Sequence, residues 1–283
     1  MSSMLSKARI AFVGAGSMAE AIFRGLIERK ITQPQQIYVM NRQDQDKLNK
    51  IGQKYGVRVT SDLNLRETYI REANVVMLCM KPKDVESSFR DLQPLLNENQ
   101  LLVSVIAGLS IAKMETLLQT QMPIVRTMPN TSSTIGLGAT GISFSKAVSP
   151  EQQQLAVEMF KAVGIVSIVE ESKIDIVTGI SGSGPAYVYY FMEAMMKAAA
   201  EGGLSEEDAR ALTVQTILGA ATMVQTTQED PAELRKKVTS PNGTTQAALE
   251  TLDRHQFSEG IVRAVFRAAE RSKEMGEQIA AHK

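Results

Sequence analysis

Across 283 residues there is one cysteine, Cys79, and there are two histidines, His255 and His282. A lone thiol cannot close an internal disulfide, and thiol and imidazole ligands are too few for a zinc centre, so no metal site is expected. Charge of one sign is missing too. The 31 basic and 31 acidic side chains cancel, leaving no global positive field to recruit nucleic acid. Long apolar runs are absent as well: nothing approaches the ~20 residues of a membrane span, and the run at 10–14 is too short for the core of a signal peptide. The expectation is a cytoplasmic protein without a transit peptide, with neither nucleic acid nor membrane as a partner. What remains is ordinary globular composition, 43% hydrophobic and 22% charged, in a length that suits two domains.

The first half alternates short apolar runs with amphipathic segments, the pattern of βαβ units on a parallel sheet. Strands are predicted at 9–13, 36–40, 75–79, 101–105, 123–128 and 140–144. Helices are predicted between them at 18–29, 43–55, 83–92 and 111–120. Pro150 opens a helix to about 163, and 165–169 is one further strand candidate. After about Glu170 strand-like runs vanish and helices dominate. These are 184–201, a helix N-capped by Ser205 that runs to about 225, a short one from Asp230-Pro231, and two more beyond the break at Ser240-Pro241-Asn242-Gly243. The predicted fold class is an α/β Rossmann-type dinucleotide-binding domain, residues 1–168, followed by an all-α domain, residues 169–283, for substrate binding and dimerisation.

The segment 186–200 is apolar around most of its circumference, with Glu193 and Lys197 as its charged residues. A helix of that kind needs burial on all sides. Two readings follow: burial against a second subunit, giving a homo-oligomer, or one central core helix in a monomer.

Gly14-Ala15-Gly16-Ser17-Met18-Ala19 is a G-x-G-x-x-A fingerprint that follows the first strand and opens a helix. The first glycine permits the turn, the second lets backbone approach a pyrophosphate, and Ala19 lets helix and strand pack closely. Free N–H groups at the helix start would hold the phosphates. At the end of the second strand, where an acid would bind a ribose 2′-hydroxyl, stands Asn41-Arg42. Arg42 can grip a phosphate in forked geometry and Asn41 can donate to it. NADP(H) is therefore the preferred cofactor, with NAD(H) possible; Arg42 as a solvated surface residue is the alternative. Met80-Lys81-Pro82 and Ile106-Ala107-Gly108 fall at strand C-termini, the edge where such sheets bind ligands. They are candidate nicotinamide walls, or else plain turn chemistry. The Met128-Pro129-Asn130-Thr131 turn falls at the same edge, and Asn64 is placed with the cofactor residues.

Three segments together resemble pyrroline-5-carboxylate reductases: Ile180-Ser181-Gly182-Ser183-Gly184-Pro185-Ala186-Tyr187, the turn at 128–131, and Val238-Thr239-Ser240-Pro241-Asn242-Gly243-Thr244-Thr245. The similarity runs from Ile10 to about Glu270. It implies reduction of (S)-1-pyrroline-5-carboxylate to L-proline by hydride transfer, the last step of proline biosynthesis. It also implies a dimer intertwined through the helical domains, often assembled into a decamer. Carried over residue by residue, the resemblance implies a substrate carboxylate held by N–H groups of Gly243, Thr244 and Thr245. It places the Thr245 hydroxyl near the ring nitrogen as the catalytic group, Ser240 in the same loop, and Glu171 close to substrate; a solvated charge is the other reading of Glu171. Asn242 stands where the family has the first of two glycines, and Leu78-Cys79-Met80 where Ala and Val are commoner. Two other readings compete. One is a two-domain dehydrogenase of the 3-hydroxyacid or F420-linked type, with Lys197 as its nearest acid–base candidate. The other is a non-catalytic dinucleotide sensor.

Overall fold

A computed structural model of the chain describes residues 7–42 and 44–281, the side chains of 280 and 281 excepted. The apolar runs become eight strands: β1 (Ile10–Val13), β2 (Ile37–Met40), β3 (Arg58–Thr60), β4 (Val75–Leu78), β5 (Leu101–Ser104), β6 (Ile124–Met128), β7 (Gly138–Phe144) and β8 (Gly164–Ile168). They form one sheet in the order β3-β2-β1-β4-β5-β6-β7-β8. All neighbours are parallel except β6 and β7. Strands β1, β2, β4 and β5 are buried at every position, as expected where helices cover both faces.

The two-residue period of the strands divides the core into two layers. Ile10, Phe12, Val39, Met77 and Val103 pack with Ala19, Ile22, Phe23 and Leu26 of α1 (Ser17–Glu28) and with Met159 and Phe160 of α6 (Pro150–Lys161). Ala11, Val13, Tyr38, Val76 and Leu78 point the other way, toward Phe89 of α4 (Val85–Leu92) and Met114 of α5 (Ile111–Leu118). The second helix, α2 (Gln45–Tyr55), begins at an Asp44 cap; Gln43, where its start is predicted, lies outside the described residues.

Two elements lie outside the predicted pattern, β3 and α3 (Leu63–Glu72). Strand β3 has three residues and buries only Thr60, so no period can develop. Helix α3 buries just Arg66 and Ile70, which gives it no apolar stripe. Its available signal is the Asp62 cap, whose carboxylate accepts from Leu65 N–H at 2.8 Å.

Contacts divide the chain into two compact units. One runs through Ser183 and takes in the chain again from Phe266; the other is Gly184–Val265. Strands end at Ile168, but α7 (Ile174–Val177) and the π-helical turn Thr178–Gly182 still belong to the first unit. Asp175 ties this stretch back to the sheet through Arg126 of β6, at 3.0 Å. The second unit holds α8 (Gly184–Glu201), α9 (Glu206–Thr227), α10 (Pro231–Lys237), α11 (Thr244–Arg254) and the start of α12 (Phe257–Ala281). Ser205 caps α9, accepting from Asp208 N–H at 3.0 Å.

No residue of α8 is buried. Tyr189 is 56% and Tyr190 77% exposed, so the core-helix reading fails for this chain: a helix this apolar is left largely in solvent. No helix among the described residues is long and apolar enough to cross a membrane.

Candidate active site

The glycine turn sits where the strand order reverses, with β1 between β2 and β4. Gly14 has φ +115° and donates its N–H to Met40 O at 3.0 Å. A Cβ there would lie 2.6 Å from the Cys79 carbonyl oxygen, so the turn admits only glycine. At Gly16 the constraint is of another kind: a Cβ would meet nothing within 4 Å, and the backbone is open to a ligand. Gly16 caps α1 without a side-chain hydrogen bond. By contrast α2, α3, α5 and α6 are capped by Asp44, Asp62, Ser110 and Ser149. The first-turn N–H groups of α1 thus keep their affinity for an external anion. Ala19, fully buried, provides the close packing.

A cleft of about 530 Å³ opens at this turn. It is lined by Gly14, Ala15, Gly16, Asn41, Arg42, Met80 and Lys81, all expected from the sequence. Lys47, Arg66 and Lys83, which sequence reasoning missed, line it too, with Asp44 and Asp84 as counter-charges. Lys47 hides in the first turn of α2, and Arg66 on the unforeseen α3. Arg42 donates to Asp91 at 2.7 Å and to Ser88 at 3.4 Å. The donor set, open backbone N–H groups beside several cations, fits a dinucleotide.

The remaining candidates lie elsewhere. Ser17 and Met18 form the first turn of α1 without lining the cleft. Pro82 starts the short 3-10 turn Pro82–Asp84 beyond Lys81. Asn64 is exposed in the first turn of α3, its carbonyl accepting from Thr68 Oγ1 at 3.1 Å. Ile106 is buried, 3% exposed, and Gly108, at φ +78°, packs against Gly276 and Ser272 of α12. Neither these two nor Ala107 lines the cleft.

In the second unit, Asn242 takes the left-handed conformation, φ +58°. Asparagine tolerates it, so the turn forms despite the missing glycine. Gly243 caps α11, again with no side-chain hydrogen bond. Contrary to expectation, the Gly243 N–H is already engaged, donating to Ser240 O at 3.0 Å, and Asn242 N–H donates to Gln246 Oε1 at 2.8 Å. The donors left without an intrahelical partner begin at Thr244. Among the described residues the Thr245 hydroxyl makes no hydrogen bond. His255 is exposed at the end of α11, and His282 lies outside the described residues. Lys197 is exposed and lies 3.9 Å from Glu201.

Comparison with known proteins decides between the readings. Residues 171–275 match the family model described as pyrroline-5-carboxylate reductase dimerisation. The chain is 41% identical to pyrroline-5-carboxylate reductase 1 of Bacillus spizizenii over 279 residues, 99% of this chain and 93% of that one. This chain belongs to the pyrroline-5-carboxylate reductase family. The solved reductase of Coxiella burnetii matches with a TM-score of 0.87 at 38% identity, covering 95% of this chain and 98% of that one. The Plasmodium falciparum pyrroline carboxylate reductase, solved with NADP bound, also gives 0.87, at 30% identity over 96% of this chain and all of that one. Residues 9–108 match a model described as NADP oxidoreductase, coenzyme F420-dependent. That match stops inside the sheet. The helical half is that of a pyrroline-5-carboxylate reductase, against the F420-linked reading.

Within this family fold the sequence motifs acquire physical reasons. Asn130 holds two of them together: its Nδ2 donates to Ser181 O at 3.0 Å, and its Oδ1 accepts from Ala139 N–H at 3.2 Å. A Cβ on Gly182 would meet the Met128 methyl at 2.6 Å, so the two segments pack closely there, though the flexible end of the methionine could yield to it. Glu171 Oε1 accepts from Ile111 N–H at 2.7 Å and from Arg126 Nη1 at 3.3 Å. Arg126 is buried and also binds Asp175, which accepts from Ser272 at 2.7 Å. The observed partners of Glu171 are thus an internal network joining β6, α5, α7 and α12.

Proposed function

We propose that this protein reduces (S)-1-pyrroline-5-carboxylate to L-proline, the last step of proline biosynthesis, with NADPH as the preferred hydride donor. The observation that carries the reading is a pair of helix N-termini built alike. Helices α1 and α11 both start at a glycine with no side-chain cap. One follows the dinucleotide fingerprint and the other the Ser240–Thr245 loop, so each supplies donors for an anionic group.

When bound, the reduced nicotinamide would supply a hydride for the carbon of the ring imine, which enters already protonated on nitrogen, so that the transfer yields the proline amine and the oxidised cofactor. The residues of the chain do the rest. The N–H groups at the start of α11 hold the substrate carboxylate, and Thr245 Oγ1 hydrogen-bonds the ring nitrogen. Holding both reactants in fixed geometry lowers the barrier to hydride transfer without a strong acid or base. No histidine is required, in keeping with the exposed position of His255. Ser240 fixes the loop through its carbonyl. Arg42 and Asn41 take the ribose end of the cofactor, and the Met80–Pro82 and Ile106–Gly108 turns with Asn64 flank the rest.

The working form is a homodimer built through the helical unit, assembled further into a decamer, and it acts in the cytoplasm. The exposed Tyr189, Tyr190 and Val188 of α8 support the dimer, since an apolar face of this size is covered in a soluble assembly. The test mixes the full-length protein with NADPH and pyrroline-5-carboxylate and follows loss of reduced-cofactor absorbance and formation of proline. Activity on a 3-hydroxy acid instead, with no proline formed, would overturn the reading.

A further inference from the structure

Arg66 lines the dinucleotide cleft but belongs to neither the glycine turn nor the end of β2. It is 7% exposed, and its Nε is buried with no hydrogen-bond partner among the described residues. Its charged neighbours are Arg42 and Asp91. Burial, and then repulsion from Arg42, push the Arg66 guanidinium below the usual arginine range. An arginine stays protonated even so. The cleft therefore holds a dehydrated positive charge near a second one. Asp91 offsets both, but its close contact, at 2.7 Å, is with Arg42. A buried charge without a close partner destabilises a fold unless a counter-ion arrives.

Resting on the dinucleotide reading above, we propose that Arg66 is the buried half of an anion site shared with Arg42. Its ligand is a phosphate monoester on the adenosine ribose. The chemistry separates this group from the rest of the cofactor. The pyrophosphate meets the open backbone of Gly16 at the start of α1. Arg42, at the end of β2, marks the ribose side. A monoester carries about −1.5 to −2 charges at neutral pH, which suits two guanidinium groups in forked contact. A ribose hydroxyl would leave the Arg66 charge unmatched. Arg66 is thus a specificity-determining residue, and the unliganded protein is less stable for having it.

The experiment uses the full-length protein, with adenosine 2′,5′-bisphosphate and AMP as probes in calorimetric titrations, and thermal melting without ligand. Arg66→Met keeps the side-chain length and removes the charge; Arg66→Lys keeps the charge and removes the fork. Wild type should bind the bisphosphate more tightly than AMP. Arg66→Met should lose about ten- to hundredfold on the bisphosphate, the size of a charge-assisted hydrogen bond. On AMP it should change less than about twofold, and unliganded it should melt at or above wild type. Arg66→Lys should lose part of the discrimination. Undiminished discrimination in Arg66→Met, equal loss on both probes, or a large fall in melting temperature in both variants would overturn the proposal. A wild type that does not discriminate between the probes would instead defeat the NADP(H) reading on which it rests.

Discussion

Gly108 and Gly276 meet backbone to backbone: a Cβ built on Gly276 would lie 2.4 Å from the Gly108 carbonyl oxygen, and one on Gly108 would lie 2.8 Å from the Gly276 nitrogen. The contact seats the last helix against the turn after β5, and it explains a glycine that the sequence assigns to the cofactor. Gly276→Ala should therefore cost about 1–3 kcal/mol of stability, the usual range for overpacking. Gly108→Ala should cost more, because its positive φ adds strain. Urea unfolding at unchanged m checks this; a loss below about 0.5 kcal/mol, within the range of neutral surface changes, would mean that α12 shifts freely.

Arg42 is held by Asp91 on an exposed rim, where such a pair is worth about 1 kcal/mol or less. NADPH must break that pair to recruit the guanidinium. Arg42→Ala should weaken NADPH binding about ten- to hundredfold and leave NADH nearly unchanged. Asp91→Asn should tighten NADPH by a few-fold. Fluorescence titration with both cofactors decides, and equal losses for the two would remove Arg42 from the phosphate site.

Thr245→Ala removes a hydroxyl that makes no hydrogen bond among the described residues. Turnover should fall, or the substrate KM rise, with NADPH affinity within about twofold of wild type and a nearly unchanged melting temperature, since such a half-buried hydroxyl in the first turn of α11 contributes little to stability. Unchanged steady-state kinetics would exclude the residue from the reaction.

Glu171→Gln separates a substrate contact from a structural one. The observed network predicts a loss of about 1.5–3 kcal/mol, typical of a hydrogen bond to a charged group. The substrate KM should stay within about twofold, because the variant removes an ion pair inside the sheet unit. A raised KM with intact stability would return Glu171 to the substrate.

Burial pushes the Cys79 thiol up to about 12. At pH 8 it should therefore react far more slowly with thiol reagents than free cysteine does. The folded pKa is raised, so the unfolded chain loses its proton first, near 8.5. The contribution to stability is fully present below that value and falls by about 1.4 kcal/mol per pH unit toward 12. The stability difference between wild type and Cys79→Ala should change along that slope, and a flat difference from pH 8 to 10 would show an accessible thiol.

The sequence alone determined seven of the eight strands, the dinucleotide turn and the all-helical second half. Each is a local rule: apolar period, glycine spacing, caps such as Ser205. Strand β3 and the antiparallel turn-back of β7 on β6 came only with the fold. The family followed from three segments whose order survives in the linear chain. Tertiary structure decided what depends on neighbours distant in sequence. It showed that Gly108 is small for the sake of α12, and that Glu171 meets Arg126 and Ile111. It also showed that the Gly243 N–H is already taken by Ser240. Arg66 was invisible for the same reason. Helix α3 carries no apolar stripe to announce it, so only folding brings that buried charge to the cleft that Gly14 and Gly16 open.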